Sequence, residues 1–162
     1  MKTIITDLDN LNKEYFNINS DDLIIYANEC KNSCIGCFSC WVKHPRHCIY
    51  KDNYSNIVDY LKDSTELIII SKNRYGCYSK KVKQILERCI GYVLPYFTIR
   101  NNEIHHASRF KDRIIFNAYF YGSFSNNDKC CLYNLVKANS VNLNALKFSV
   151  KYLEGDNYIY SN

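Results

Sequence analysis

The sequence predicts an α/β fold in which one domain, residues 1–162, contains a five-stranded parallel sheet with helices on both faces. Short apolar runs alternate with segments whose apolar residues recur at helical spacing, the pattern of strands joined by helices. Residues 67–70 and 113–121 are apolar almost throughout, as central parallel strands are. Residues 145–152 alternate apolar and polar side chains, which predicts a half-exposed strand at the edge of the sheet.

Composition excludes several other classes of protein. With 47% hydrophobic and 23% charged residues, the chain is globular rather than disordered. No apolar run approaches the roughly 20 residues of a membrane span, and Asp7 comes too early for a signal peptide, so we expect a cytoplasmic protein with no membrane contact. Nine cysteines without an export signal predict reduced thiols. The net charge of +5 arises from scattered basic residues, which argues against nucleic acid as a partner.

The first crossover is unusual. Residues 2–8 and 23–27 are β-branched or apolar runs and predict the first two strands. The connector between them, residues 9–21, is rich in Asn, Asp and Lys and shows no sustained helical period. We therefore predict that the first crossover helix is short or missing.

Three later helices are predicted from their apolar spacing. A helix capped by Asp52 or Asn53 would bury Tyr54, Ile57, Val58 and Leu61. A second, capped by Ser79 and ended by Gly91, would bury Val82, Ile85, Leu86, Cys89 and Ile90. Its opposite face is predicted to be solvated and carries Lys80, Lys81, Lys83, Gln84, Glu87 and Arg88. A third, begun by a Ser125–Asp128 capping box, would bury Cys131, Leu132, Leu135 and Val136.

Residues 92–111, between the second and third of these helices, are predicted to form a long irregular excursion. They include His105 and His106, for which we favour a role in stabilising the loop or an interface over one in proton transfer.

A cysteine run follows the second strand, with Cys34, Cys37, Cys40 and Cys48 as its candidate ligands. Thiolates bind iron–sulfur clusters and zinc, and they also carry out thiol redox chemistry. Simple packing of small thiols is a fourth reading, and the spacing alone leaves all four open. We expect the run to lie near the loop formed by residues 71–79.

A five-stranded sheet of order 2-1-3-4-5 accommodates these elements and opens its ligand crevice at the carboxyl ends of the strands. The residues there resemble a known family. Cys34-x-Gly-Cys37-x-x-Cys40, Cys48 through Asp52, the Tyr75–Ser79 loop and the later 95–97 and 103–110 segments are similar to flavodoxin-like NAD(P)H-dependent FMN reductases. The cysteine spacing also resembles that of iron–sulfur flavoproteins, which carry a [4Fe–4S] cluster.

This resemblance implies an FMN-dependent NAD(P)H oxidoreductase, with a nicotinamide as electron donor and a small molecule or protein as acceptor. It implies a homodimer in which the 92–112 excursion packs on the partner subunit. It also implies cofactor-binding residues in two loops, namely Asn73, Arg74, Tyr75, Gly76, Cys77 and Ser79, with Tyr121, Gly122 and Ser123 beside them.

One departure from the family supports an alternative. Family members follow the first strand with a Ser/Thr-rich loop whose amides bind the FMN phosphate. Residues 7–12 of this chain contain no glycine or serine and carry Asp7 and Asp9, whose charges would repel a phosphate. The rival hypothesis is a degenerate, non-catalytic flavodoxin-like domain that has lost FMN binding and acts as a binding or interaction protein.

Overall fold

The computed structural model describes residues 1–155 and 159–160. Its seven strands are β1 Lys2–Thr6, β2 Leu23–Tyr26, β3 Glu66–Lys72, β4 Val93–Arg100, β5 Glu103–Ser108, β6 Ile115–Tyr121 and β7 Lys147–Leu153. Its α-helices are α1 Ser39–Val42, α2 Ile57–Lys62, α3 Lys80–Arg88 and α4 Asn126–Asn142. Short 3₁₀ turns follow β2 and α3, at Ala27–Glu29 and Cys89–Tyr92. None of the helices described is long and apolar enough to cross a membrane.

Five parallel strands form the main sheet in the order β2-β1-β3-β6-β7. Counted along the chain within that sheet, this is the predicted order 2-1-3-4-5, which is confirmed. The central strands are apolar on both sides, as the sequence indicated. Ile69 and Ile70 of β3 are both fully buried although they point to opposite faces.

One face of the sheet is covered by helices. The buried side chains of α2, α3 and α4 form a single core with Ile5, Leu67 and Phe116 of the strands. Alternate strand residues, including Ile4 and Ile68, face a second, smaller core. Helices therefore pack on one face, and the prediction of helices on both faces is wrong for the described residues.

The second face is covered by the first crossover. As predicted, no helix forms among residues 7–22, and this segment lies on the sheet as irregular chain. Leu8, Leu11 and Phe16 are at most 5% exposed and pack in the second core. A backbone hydrogen bond of 2.9 Å from Asn12 N to the carbonyl of Ile159 ties the segment to the end of the chain. Apolar side chains in an irregular segment thus replace the missing helix.

Helix ends were predicted with mixed success. The Ser79 cap is confirmed, since its Oγ accepts a hydrogen bond from the amide of Val82. The Ser125–Asp128 capping box is confirmed as well. The helix predicted from Asp52 or Asn53 begins only at Ile57, because the Asp52 carboxylate holds the amide of Tyr54 in a turn (3.1 Å). Cys131, predicted to be buried, is exposed.

The predicted irregular excursion is largely a β-hairpin. Strands β4 and β5 pair antiparallel, with Ile99 opposite Ile104. The two turn residues, Asn101 and Asn102, both have positive φ, 51° and 63°. Two consecutive left-handed residues make the turn that fits the twist of a tight hairpin, and asparagine tolerates that conformation. The Asn-Asn pair was the overlooked signal.

Candidate functional site

Two loops meet at the carboxyl ends of β3 and β6. The amide of Asn73 donates to the carbonyl of Tyr121 (2.9 Å), and its side-chain Nδ2 donates to the carbonyl of Ser123 (2.8 Å). These contacts follow from the parallel pairing of β3 with β6, which ends both strands at one edge. We call residues 73–79 and 121–123 the strand-end rim. The structure thus brings the two predicted groups of cofactor-binding residues together.

A tight turn shapes the first half of this rim. Arg74 and Cys77 exchange two backbone hydrogen bonds of 3.0 and 3.1 Å. Tyr75 and Gly76, between them, have positive φ values of 56° and 73°. The side chain of Tyr75 is left 98% exposed. A large aromatic ring held out into solvent by a constrained turn offers a stacking surface for a planar ligand.

Gly76 is required there for two reasons. Its backbone conformation is one that residues with a side chain rarely adopt. In addition, a Cβ at Gly76 would lie 2.7 Å from the Cβ of Cys131 on α4. Gly76, one of the predicted cofactor-binding residues, therefore permits close packing of the rim on α4.

The amides of the rim are mostly satisfied by the protein itself. The Asn73 side chain accepts from the amide of Gly76 (3.0 Å), and the hydroxyl of Ser71 accepts from that of Ser79 (2.8 Å). The amides of Asn73, Arg74 and Cys77 have backbone partners, as described above. In this conformation these bonded amides are not available as donors to a ligand at the rim.

Other predicted site residues have structural roles. Ser79 caps α3. The buried ring of Tyr78, beside it, stacks on Phe120 at 5.3 Å. Gly122 has a φ of 105°, a conformation that favours glycine at this turn.

Asp7 lies where a phosphate loop would begin. Both of its carboxylate oxygens accept from the amide of Lys72 (3.2 Å each), and the hydroxyl of Tyr121 donates to one of them (3.1 Å). Asn28 ties Asp7 to Asp9, donating to the carbonyl of the first (2.8 Å) and the carboxylate of the second (2.9 Å). Two carboxylates thus stand at the end of β1.

The residues after β1 do not fit the phosphate of FMN. The amide of Leu8 is bound by the hydroxyl of Thr6 (3.0 Å), and that of Asn12 by Ile159. No helix begins between β1 and β2 in the described chain, so the usual set of free helix N-terminal amides is lacking. The positions that a phosphate would need carry negative charge instead.

The cysteine run follows the length of α3 away from the rim. The chain enters the run beside the first turn of α3, where Lys81 donates to the carbonyl of Cys30, four residues before Cys34 (2.8 Å). At the other end, the indole nitrogen of Trp41 donates to the carbonyls of Ile90 and Val93 (both 3.0 Å). Nine residues of helix separate the two ends by about 13 Å. The prediction that the cysteines lie near the 71–79 loop is wrong for Cys40 and Cys48, because the run crosses the helix to its far end.

Gly91 makes this docking possible. A Cβ there would lie 3.3 Å from the Cβ of Cys40 and 3.4 Å from Cα of Arg46. Its φ is not positive, and it lies within a 3₁₀ turn rather than ending the helix in a left-handed conformation. The sequence read Gly91 as a helix stop, whereas in the structure it makes room for the cysteine run.

Arg88 anchors the end of the run. Its guanidinium donates to both oxygens of Asp52, from Nη1 at 2.9 Å and from Nη2 at 2.6 Å, and the residue is only 2% exposed. Burial lowers the pKa of Arg88, but the hydrogen bonds to Asp52 outweigh it and the net shift is upward. The same bonds hold the pKa of Asp52 below its usual value. The prediction that Arg88 and Gln84 are solvated is wrong, since both are buried.

The four candidate cysteines do not form a metal site in this conformation. Cys37 is exposed, and the other three are half-buried. Burial raises the pKa of the Cys40 thiol, and the nearby thiols of Cys34, Cys48 and Cys37 raise it further. Among the described residues, no three His, Cys, Asp or Glu side chains converge as metal ligands. The four sulfurs are neighbours without being a ligand set, so a [4Fe–4S] cluster does not fit as they stand.

A cavity of about 620 Å³ lies beside these cysteines. All four thiols line it, together with the C-terminal part of α3 and the end of α4. It reaches the core at Leu61, Leu67 and Phe116. Nothing in the sequence indicated this cavity, because its walls come from segments far apart in the chain.

The side chains of His47, His105 and His106 make local contacts. His47 contacts the carboxylate of Asp59, and His105 that of Glu103, both at 2.9 Å. The ring of His106 lies between those of Trp41 and Phe97, with centroids 5.0 and 4.8 Å away. The favoured structural role of the 105–106 pair agrees with these contacts.

Comparisons with known proteins bear on the fold. No protein-family model matches the chain, and no curated protein matches it. Among solved structures, an FMN-dependent NADH-azoreductase from Bacillus anthracis str. Ames Ancestor, in complex with FMN, aligns over 97% of this chain and 88% of its own, with 13% identity and a TM-score of 0.58. The Flv1 flavodiiron core from Synechocystis sp. PCC6803 aligns over 94% of this chain and 30% of its own, with 10% identity and a TM-score of 0.47. The strand order and the first of these likenesses together assign the chain a flavodoxin-like fold.

Proposed function

We propose that the protein is a flavin-dependent oxidoreductase that binds the flavin by its ring at the strand-end rim. The observation that carries this proposal is the joining of residues 73–79 to residues 121–123 at the carboxyl ends of adjacent parallel strands, the usual ligand position of this fold. The exposed ring of Tyr75 would stack on the isoalloxazine. NADH or NADPH would be the electron donor, and a small molecule or protein the acceptor. The likeness to an FMN-dependent NADH-azoreductase supports this choice of donor.

The proposal differs from ordinary FMN binding in one respect. Since Asp7 and Asp9 stand where a phosphate cradle would be, their charges would repel the phosphate and lower the affinity for FMN. Riboflavin, which has no phosphate, would then bind roughly several-fold more tightly than FMN. A flavin protein with a phosphate cradle would instead strongly prefer FMN.

The test is a fluorescence titration of the purified protein with riboflavin and with FMN, together with an assay of NADH and NADPH oxidation. Tyr75→Ala should lower the affinity for both flavins, because it removes the exposed ring. Tyr96→Ala is the matched control, since Tyr96 is 70% exposed on β4 and lies outside the rim. If neither flavin binds saturably and neither nicotinamide is oxidised, the proposal is overturned.

A second candidate is the non-catalytic interaction domain. The rim amides that are already bonded within the protein, and the Asp7 carboxylate at the end of β1, favour it. Such a protein would carry no flavin absorption once free FMN has been removed by gel filtration. Absence of both flavin binding and nicotinamide oxidation would select this candidate over the first.

A [4Fe–4S] cluster on Cys34, Cys37, Cys40 and Cys48 remains a separate proposal. The donor set is chemically suitable, but the sulfurs would have to converge from their present positions. Iron and acid-labile sulfide in protein purified without oxygen would support the cluster. Their absence would leave the four residues as thiols.

We also propose that the protein is a homodimer joined through the β4–β5 hairpin. Phe97, Ile99 and Ile104 are each at least 70% exposed. Two-residue periodicity places Phe97 and Ile99 on one face, and the pairing of Ile99 with Ile104 places the third residue there. An exposed apolar face of this kind is typical of a protein interface.

A further inference from the structure

The cavity beside the cysteine run is unlike the strand-end rim in both position and lining. Its walls include Leu86 from the second half of α3, Ile90 from the 3₁₀ turn that follows this helix, and Leu143 directly after α4. The rim lies at the N-terminal end of α3 instead. The two places are thus separated by the length of that helix, and a ligand could occupy either one without the other.

The volume of the cavity suits a small molecule. About 620 Å³ falls within the range of roughly 300–1,000 Å³ that ligand sites in proteins occupy. Apolar side chains supply most of the wall, and three of them, Leu61, Leu67 and Phe116, are at most 1% exposed. A mainly apolar ligand would therefore be favoured.

A buried polar group on the wall has no partner. Nε of Arg88 makes no hydrogen bond within the part of the chain that the structure describes, although the residue is only 2% exposed. Nδ1 of His106, also on the wall, is buried and similarly unpaired. An unpaired buried donor is costly, because it gives up its hydrogen bond to water and gains none in the folded protein. A ligand with a hydrogen-bond acceptor would satisfy Arg88.

The charges of the wall select a neutral ligand. Both Nη atoms of Arg88 are already held by the Asp52 carboxylate, so the guanidinium has its counter-ion. Glu87, also on the wall, is paired with Lys83 at 3.8 Å. Among the described residues of the wall, Arg88 therefore already has its counter-ion and an anion would gain no free cation to balance its charge.

We propose that this cavity binds a small, neutral, mainly apolar molecule that carries a hydrogen-bond acceptor, such as an aromatic ketone, with Arg88 Nε–H as the donor. The inference does not depend on flavin binding at the rim. It gives the cysteine run a role as the wall of a ligand site.

The experiment uses Prodan, a neutral naphthyl ketone whose emission shifts to the blue in apolar surroundings. We expect saturable binding at one site per chain, with blue-shifted emission. Leu143→Trp should weaken that binding at least about tenfold, because the indole would fill part of the cavity. Leu146→Trp is the matched control, because Leu146 is 59% exposed, lies three residues after Leu143 and is not on the wall. The affinity of this variant for Prodan should equal that of the wild type.

Two further measurements separate the alternatives. An anionic naphthalene sulfonate should bind more weakly than Prodan if the charges select a neutral ligand. Excess riboflavin should leave Prodan bound, since displacement would place the probe at the rim and overturn the proposal.

Arg88→Lys, which loses Nε–H, should lower the affinity for Prodan. If the Arg88→Lys protein does not fold, the comparison of wild type with Leu143→Trp decides between the outcomes. Absence of saturable binding, or equal affinity of wild type and Leu143→Trp, would also overturn the proposal and leave water as the occupant.

Discussion

The guanidinium of Arg88 binds both carboxylate oxygens of Asp52, at 2.9 and 2.6 Å, and this bond joins the last turn of α3 to the end of the cysteine run. The Arg88 side chain is fully buried, and that of Asp52 is 23% exposed. Asn32 donates a further hydrogen bond of 3.0 Å to the same carboxylate. The pair therefore fixes the loop that carries Cys34 to Cys48 on the outside of the helix.

The first prediction concerns this pair and pH. Asp52→Asn should lower the free energy of unfolding at pH 7 by about 3 kcal/mol, because it leaves a buried guanidinium without its counter-ion. The pKa of Asp52 is lowered in the folded protein, chiefly by the hydrogen bonds from Arg88. Its stabilisation is thus present above the unfolded pKa of about 3.9 and is lost as the pH falls through the folded value.

Urea unfolding at pH 7, 5, 4 and 3 measures both effects. The difference between wild type and Asp52→Asn should narrow below about pH 4, as the wild-type carboxylate becomes protonated. Glu87→Gln is the control, since its ion pair with Lys83 is exposed and should contribute less than about 1 kcal/mol. A difference between wild type and Asp52→Asn that stays constant down to pH 3 would contradict the assignment.

The second prediction compares two glycines with similar backbone conformations. Gly76 and Gly36 have φ values of 73° and 65°. Gly36→Ala should lower the free energy of unfolding by about 1 kcal/mol, which is the cost of a side chain at positive φ. No steric cost is added there, because a Cβ would meet nothing within 4 Å. Gly76→Ala should cost roughly 1–3 kcal/mol more, because its Cβ would overlap that of Cys131. Thermal or urea unfolding gives both values, and equal losses would show that the rim does not pack tightly on α4.

A third prediction tests the charge at the end of β1. Asp7→Asn keeps an oxygen that can accept from the amide of Lys72 but removes the negative charge. The affinity for FMN relative to riboflavin should therefore rise several-fold. Asp63→Asn makes the same change at the end of α2, with a side chain 65% exposed, and should leave the ratio unchanged. No change in the ratio for Asp7→Asn would mean that the phosphate does not approach this end of β1.

A fourth prediction addresses the oligomer. Ile99→Lys places a charge in the apolar face of the hairpin, opposite Ile104. Light scattering should find a dimer for the wild type and a monomer for this variant. Leu146→Lys introduces the same charge at an exposed apolar residue outside the hairpin, and this variant should remain dimeric. A monomeric wild type would show that the hairpin face is not a self-association surface under those conditions.

The fifth prediction ranks the thiols. Burial raises the pKa of Cys89 to about 12, and Cys89 and Cys30 are both buried. Cys37, by contrast, is exposed in the same part of the molecule. Limited alkylation at pH 8, followed by peptide mass spectrometry, should modify the exposed cysteines first, namely Cys37, Cys130 and Cys131, and Cys89 last. In urea all nine cysteines should react, and early modification of Cys89 in native protein would contradict its buried position.

The sequence predicted those features that depend on local pattern. Apolar runs and helical spacing identified the five strands of the main sheet and their order, because burial on both faces of a central strand leaves a continuous apolar run. Side-chain caps at Ser79 and Ser125 were recognisable because the capping residue lies within three positions of its partner. The absence of a first crossover helix was also predictable, because the apolar residues of the connector show no helical spacing, and the structure has no helix among residues 7–22.

Only the tertiary structure decided where the cysteine run lies. Arg88 looked like one more basic residue on a solvated helix face, but a partner 36 residues earlier in the chain draws it into the interior. Gly91 looked like a helix stop, and its contact with Cys40 depends on a loop more than 40 residues away. Contacts of this kind leave no periodicity in the sequence, because each is fixed by a single long-range pairing. The cavity beside the cysteines is their product, and the sequence alone determined the residues available to line it but not that they would meet.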